Sequence, residues 1–318
     1  MLLSPTPEPT PDPAVARSAP ADFRRRPDRP AAPRLSFEFF PPKPDQPVAA
    51  FWRTVADLAA LDPQFCSVTF GAGGSTRRAT GTIAAEIQDR HGLPAAAHLT
   101  CVDATRAEID AIASGYWQTG IRHIVALRGD PRGGAGGAYS PARDGYAYAD
   151  ALVAGLARRH AFEISVAAYP ETHPQAASAA ADTDNLKRKI DNGASRAITQ
   201  FCFDMAAFER FLDRAARAGV AVPIAAGILP IVNFARLESF AAACGAHLPA
   251  DLRRAAAGID DEPLRRHRFA VDLAIAQCDA LYRLGIRDFH FYTLNRAELV
   301  KEICDGMGWS PLVQRAAN

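Results

Sequence analysis

DTDNLKRKIDNGASRAITQFCFD (182–204) holds a helix, a stop, a strand and a polar tip in one run. Asp182 is placed to cap a helix in which Leu186 and Ile190 lie one turn apart, and Gly193 is the kind of residue that ends one. Residues 196–201 follow with no helical stripe, rich in apolar and β-branched side chains, as a buried strand requires. That strand stops at Gln200, an amide where hydrocarbon is expected, so something at its tip is being hydrogen-bonded. Asp182, Asn185, Arg188 and Lys189 sit at i, i+3, i+6 and i+7 and share one helix face. Taken alone, such a face is solvated.

The same alternation runs outward in both directions. Strand-like runs occur at 35–40, 65–70, 95–100, 122–127, 163–169, 196–201, 223–229 and 288–293. Helical segments lie between them at 48–61, 77–91, 106–118, 147–159, 205–218 and 265–284, several closed by Gly92, Gly120, Gly219 or Gly285. Buried parallel-type strands in eight βα units predict an α/β fold of the (β/α)8 TIM-barrel type, one catalytic domain over 34–318. The connection before the last strand is about twice as long as the others, with room for extra helices at 234–244 and around 249–257. A doubly wound sheet uses the same alternation, but neither GAGGST (71–76) nor GGAGG (133–137) has the GxGxxG spacing that such folds place after the first strand.

Residues 1–33 are a different material. SPTPEPTPDP (4–13) and APADFRRRPDRPAAP (19–33) carry no hydrophobic stripe and are expected to be a disordered tail. The start lacks a basic segment followed by an apolar one, so no secretory leader is expected. A net charge of +1 gives no global field for nucleic acid or an anionic membrane, and no run approaches the about 20 apolar residues of a membrane span. The six cysteines are scattered without a CxxC pair, which fits reduced buried thiols in a cytoplasm, and with the eight histidines they form no recognisable metal motif.

In a barrel of this kind the chemistry sits at the C-terminal ends of the strands. The last polar residue of each strand is Glu38, Thr69, His98, Arg128 with Asp130, Tyr169 with His173, Gln200, Asn233, and Tyr292 with Arg296. No comparable polar set marks the opposite ends. Glu38 stands between Phe37 and Phe39, which cannot pair with it, so burial is expected to raise its pKa and suit it to act as a general acid. Asp130 follows Gly129, where backbone can approach a ligand closely, and Phe234 can offer an aromatic face to a planar ligand.

The segments SFEFFPPK (36–43), VTFGAGGSTR (68–77), AHLTC (97–101), ALRGDP (126–131), YPETHP (169–174), GILPIVNF (227–234) and FYTLNRAE (291–298), with the opening stretch, closely resemble methylenetetrahydrofolate reductase. The resemblance runs in order from about residue 35 to about residue 304. It implies a flavoprotein that reduces 5,10-methylenetetrahydrofolate to 5-methyltetrahydrofolate for methionine synthesis. NADH or NADPH supplies hydride through bound FAD, in a ping-pong cycle. It places Thr69, His98, Arg128, Gly129, Asp130, Tyr148, Ala149, Tyr169, His173, Asp182, Asn185, Arg188 and Lys189 around FAD, which turns the polar helix face from solvated to cofactor-binding. It makes Glu38 the acid that opens the folate ring, puts Asp130 near both flavin and folate, and gives Gln200, Phe234 and Arg296 to the folate.

Phe70 stands where many relatives carry tyrosine, and the glycine-rich loop 131–143 leaves the adenosine contacts open. The chain ends at Asn318, so a regulatory domain for S-adenosylmethionine is not expected. Small-molecule folate is the expected partner, and the resemblance leaves homo-oligomer formation open. Two competing readings remain: a lyase or hydrolase barrel without flavin, and a folate-binding protein without chemistry.

Overall fold

In the computed structural model, residues 33–42, 47–71, 77–130, 139–231, 233–259 and 262–310 are described, with the side chains of 77 and 78 excepted. The strands are β1 (Arg34–Phe39), β2 (Phe65–Val68), β3 (Ala95–Thr100), β4 (His123–Leu127), β5 (Glu163–Ala168), β6 (Arg196–Thr199), β7 (Ile224–Ile228) and β8 (Asp288–Tyr292). The helices are α1 (Val48–Ala59), α2 (Arg77–His91), α3 (Arg106–Gln118), α4 (Ala149–Arg159), α5 (Ala179–Asp191), α6 (Met205–Arg217), α7 (Phe234–Cys244), α8 (Ala250–Ala256), α9 (Pro263–Arg283) and α10 (Glu298–Gly306). Every neighbouring pair of strands is parallel, and β1 pairs with β8 to close the barrel. Closure excludes the doubly wound sheet. The expected tail falls in residues 1–32, outside the described residues, as do 131–138 of the glycine-rich loop.

Local signals set the boundaries. The glycines expected to end helices, Gly92, Gly120, Gly193, Gly219 and Gly285, all have positive φ. The α7–α8 pair occupies the long connection as expected, and α10 is a further helix outside the segments read from the sequence. One expectation is corrected. Asp182 does not cap α5; Ser178 does, its hydroxyl accepting from the Ala181 N–H, and the helix starts earlier than the sequence suggested. Asp182 sits in the first turn instead, free to accept from the backbone N–H of His173 at 2.9 Å.

Strand pleating divides side chains between two layers. Leu35, Phe37, Phe39, Val68, Leu99, Ile124, Val166, Phe289 and Phe291 point outward and join the helices in the main apolar layer. The inward positions are far more polar than the branched aliphatics usual in barrel interiors. They include Ser36 and Glu38 on β1, Ser67 on β2, His98 on β3, His123 on β4, Ser165 on β5, Arg196 on β6 and His290 on β8. The small apolar cluster among them is Phe65, Ala96, Val125, Ile198 and Ala225.

The expectation of one polar end is therefore corrected as well. At the opposite end Arg34 pairs with Asp288, its Nε 2.8 Å from Oδ1, and Arg196 pairs with Glu163 at 2.5 Å. His123 Nε2 lies 2.8 Å from Ser165 Oγ just inside. These groups pair with one another at that end of the barrel.

Candidate active site

Glu38 is carried into the barrel by the inward positions of β1, and its side chain is 15% exposed. Phe37 and Phe39 do not pair with it, but residues on facing strands do. His98 Nε2 stands 3.4 Å and His290 Nε2 3.7 Å from the same oxygen, Oε2. Ser36 Oγ lies 2.8 Å from the other nitrogen of His290. Burial pushes the Glu38 carboxyl up, but the His290 imidazole, then the charges of His98 and His290, pull it down and leave it below the usual carboxylate value. The pKa is thus lowered where the sequence led us to expect a raised one, because flanking residues along a strand point away while residues on facing strands point in. Burial also takes His98 down to about 4, so at neutral pH it is an uncharged imidazole and its pull on Glu38 is weak. Among the described residues, His98 Nε2, His290 Nε2 and Ser67 Oγ are buried without a hydrogen-bond partner.

The residues assigned to FAD form one arc over the ends of β2 to β5, the start of α4 and the length of α5, from Asp182 in its first turn to Arg188 and Lys189 in its last. Arg128, past β4, donates to Gln175 Oε1 in the loop after β5 and sits at 4.0 Å from Asp130. His173 in that loop is tied to Asp182 of α5 through its N–H, and its ring meets Tyr169 edge-on at 4.7 Å. Arg188 of α5 reaches Asp150 at 3.6 Å, next to Tyr148 and Ala149 at the start of α4. Asn185 accepts from Arg188 at 3.3 Å. Lys189 is buried, its ammonium donating to Ala167 O at 2.5 Å, and burial lowers its pKa to about 8. Burial likewise raises Tyr169 to about 12. Thr69 follows β2, its N–H bonded to Phe39 O at 2.9 Å.

The folate candidates lie across the mouth. Gln200 is one residue past β6, and its side-chain carbonyl accepts from the Phe201 N–H at 3.0 Å, which leaves its amide N–H groups for a ligand. Phe234 is the first residue of α7, whose cap Asn233 accepts from the Arg236 N–H at 2.7 Å. Asp130 is 54% exposed. Arg296 is exposed, and its guanidinium has no partner among the described residues. Ser36 and His290 are functional candidates that reading strand tips missed. Their signal was present: each is two positions from a tip residue, on the same inward face, as Ser36 is from Glu38 and His290 from Tyr292.

An outer groove of about 500 Å³ is lined by Arg106, Asp110, Tyr146 and Arg159 among others. It lies between α3 and α4, away from the strand tips. Asp110 there binds Tyr146 and Arg159, a packing role.

These features define a barrel enzyme with an acid set among imidazoles at the mouth and a cation-rich arc beside it. The family model of methylenetetrahydrofolate reductase matches residues 23–308. The chain is 47% identical over 277 residues to the 5,10-methylenetetrahydrofolate reductase of Escherichia coli strain K12, covering 87% of this chain and 91% of that one. It is 46% identical over 282 residues to that of Pectobacterium carotovorum, covering 88% and 92%. Methylenetetrahydrofolate reductase (NADH) 1 of Arabidopsis thaliana is 34% identical over 82% of this chain, which spans 46% of that longer protein. Among solved structures, a Clostridium thermocellum protein described as binding two copies of 5-methyl-5,6,7,8-tetrahydrofolic acid shares the fold, with a TM-score of 0.61 at 13% identity over 90% of this chain and 96% of that one. The chain belongs to the methylenetetrahydrofolate reductase family and is an oxidoreductase of one-carbon metabolism. No helix among the described residues is long and apolar enough to cross a membrane.

Proposed function

We propose that the protein reduces 5,10-methylenetetrahydrofolate to 5-methyltetrahydrofolate with NADH or NADPH through tightly held FAD, the two substrates taking turns at one site. The observation that carries this reading is Glu38, held inside the mouth against His98 and His290 and opposite the arc of cations.

The arc suits a flavin dinucleotide. Gly129 has φ +84, and a Cβ there would come within 2.6 Å of Val102 Cγ1 and 2.8 Å of Thr100 Cβ, so only glycine lets the chain pass this close to the end of β3 between Arg128 and Asp130. Buried Lys189 and exposed Arg188 supply positive charge for a pyrophosphate, Asp182 and Asn185 supply hydrogen bonds for hydroxyl-bearing parts, and Tyr148, 51% exposed, offers a ring. Held by these residues, FAD would supply hydride transfer between nicotinamide and folate.

The chain's own residues do the rest. Glu38 Oε2 is the atom from which a proton leaves for the folate nitrogen during ring opening, and His290, backed by Ser36, is placed to return one to it. The lowered pKa of Glu38 is that of the carboxyl among His98 and His290 alone. A folate closing over the carboxyl removes water and adds to the push upward that burial already exerts, which favours the protonated form when it is needed. Asp130, beside the arc, balances positive charge developing on the folate. The Gln200 amide orients the pterin, and Phe234 stacks on whichever planar substrate occupies the site.

NADH and the folate share space, so their kinetics are those of an alternating cycle. The purified protein is expected to be yellow, with flavin absorbance that bleaches on adding NADH or NADPH and returns on adding methylenetetrahydrofolate. A colourless protein that gains no FAD on reconstitution would point to the flavin-free lyase or hydrolase, and a yellow one without turnover to a binding protein.

A further inference from the structure

Glu171 lies in the loop after β5, between the Tyr169 and His173 of the flavin arc. Its carboxylate reaches the segment that follows α7. Both oxygens accept from the backbone N–H of His247, at 3.1 and 3.0 Å, just past the end of α7. Next to this contact Gly245 caps α7 at φ +70, and a Cβ there would fall 2.5 Å from Pro174 Cγ in the same β5 loop. The loop therefore grips the end of α7 at two points, one polar and one steric. Thr172 beside Glu171 is held at φ 78, a backbone region that β-branched residues rarely occupy, so the turn that presents Glu171 carries strain.

The grip acts on α7 as a whole. α7 and α8 do not belong to the main apolar layer; they pack on a separate cluster with Phe201, Leu229, Leu237, Ala241, Leu248 and Leu252 as its buried members. A helix is stiff, so fixing its end at Gly245 also fixes its first residue, Phe234, about 16 Å away at 1.5 Å per residue. A cavity of about 10 Å³ bounded by Tyr169, Glu171, Gln200 and Cys244 lies in the seam, room for about one water. The seam is therefore not fully packed, and the charge-assisted hydrogen bond is the specific contact across it.

We propose that Glu171 is a positioning residue that fastens α7 to the β5 loop and so sets the spacing between Phe234 and the Tyr169–His173 edge. This rests on the reading of Phe234 as the wall of the shared substrate site. Planar substrates enter between those two walls, so releasing the latch affects nicotinamide and folate alike while sparing FAD, which the arc holds from one side.

The test compares Glu171→Ala, Glu171→Gln and Gly245→Ala in the full-length protein. Hydrogen exchange over 234–248 is read first, in protein without substrates. Glu171→Ala is expected to accelerate it, and Glu171→Gln, which keeps an accepting oxygen, to restore most of the protection. In steady state the KM values for NADH and methylenetetrahydrofolate should rise together in Glu171→Ala by roughly tenfold, the loss of one charge-assisted hydrogen bond, with FAD content unchanged. Gly245→Ala should reproduce the exchange change by the steric route. Wild-type exchange and KM in Glu171→Ala would overturn the proposal. So would a loss of FAD or melting temperature with KM unchanged, which would mark Glu171 as a support of the loop alone. A wild-type protein without flavin would instead refute the assigned function, and the exchange measurement would still stand as the test of the latch.

Discussion

His98 and His123 are imidazoles shut inside the barrel, and burial holds them at about 4 and about 3. Histidine in an unfolded chain titrates at about 6.5. Both folded values are depressed, so the unfolded state binds more protons between the two limits. Their contribution to stability is complete above about pH 6.5 and is lost as pH falls toward the folded values, at no more than about 1.4 kcal/mol per pH unit for each group. Melting temperature is therefore expected to drop as pH is lowered from neutral, and His123→Gln, which can still bond Ser165, should flatten the drop. A slope identical in mutant and wild type would show that His123 holds its proton in the fold. Lys189 offers a contrast, because a buried cation costs stability and, in the proposed function, its value is binding charge. Lys189→Met should weaken FAD retention at least about tenfold while the apoprotein melts no lower than wild type, a split visible by combining dialysis with calorimetry. At this scale the sequence disclosed Glu38 itself. It hid His98 and His290 as its partners, because they lie on other strands and only register across the sheet brings them to one oxygen.

Elements were more legible than their contacts. α2, α3 and β3 begin and end where the sequence places them, because the Thr105–Glu108 capping box that opens α3, the stops at Gly92 and Gly120 and strand-like composition are local properties. The start of α5 was misplaced because Ser178 and Asp182 are both good caps one turn apart, and only the structure shows that Asp182 is engaged by the His173 N–H. That distinction can be measured. Ser178→Ala should cost about 1 kcal/mol of stability, the ordinary worth of an N-cap, with FAD affinity nearly unchanged. Asp182→Ala should cost less stability but loosen the loop that carries Tyr169 and His173, so FAD affinity falls. The reverse pattern in urea melts and flavin titrations would return the cap to Asp182.

For the whole molecule, the alternation of eight strands with helices made the barrel readable, while closure through β1 and β8 has no local signal. The interior was read only at its mouth. The Arg34–Asp288 and Arg196–Glu163 pairs at the other end escaped notice because reading strand tips samples one end of each strand. Residues 1–32 carry no apolar stripe, and their removal is expected to leave melting temperature and turnover nearly unchanged. A large loss of either would give that stretch a structural role.

The central claim is that one carboxyl serves only the folate half of a two-step cycle. Stopped-flow absorbance of Glu38→Gln tests it most directly, because hydride transfer from nicotinamide to flavin needs no acid. The flavin is expected to bleach with NADH or NADPH at close to the wild-type rate. Recovery of absorbance with methylenetetrahydrofolate is expected to slow by about two to four powers of ten, the contribution of a positioned acid. Equal slowing of both halves, or full speed in both, would contradict it.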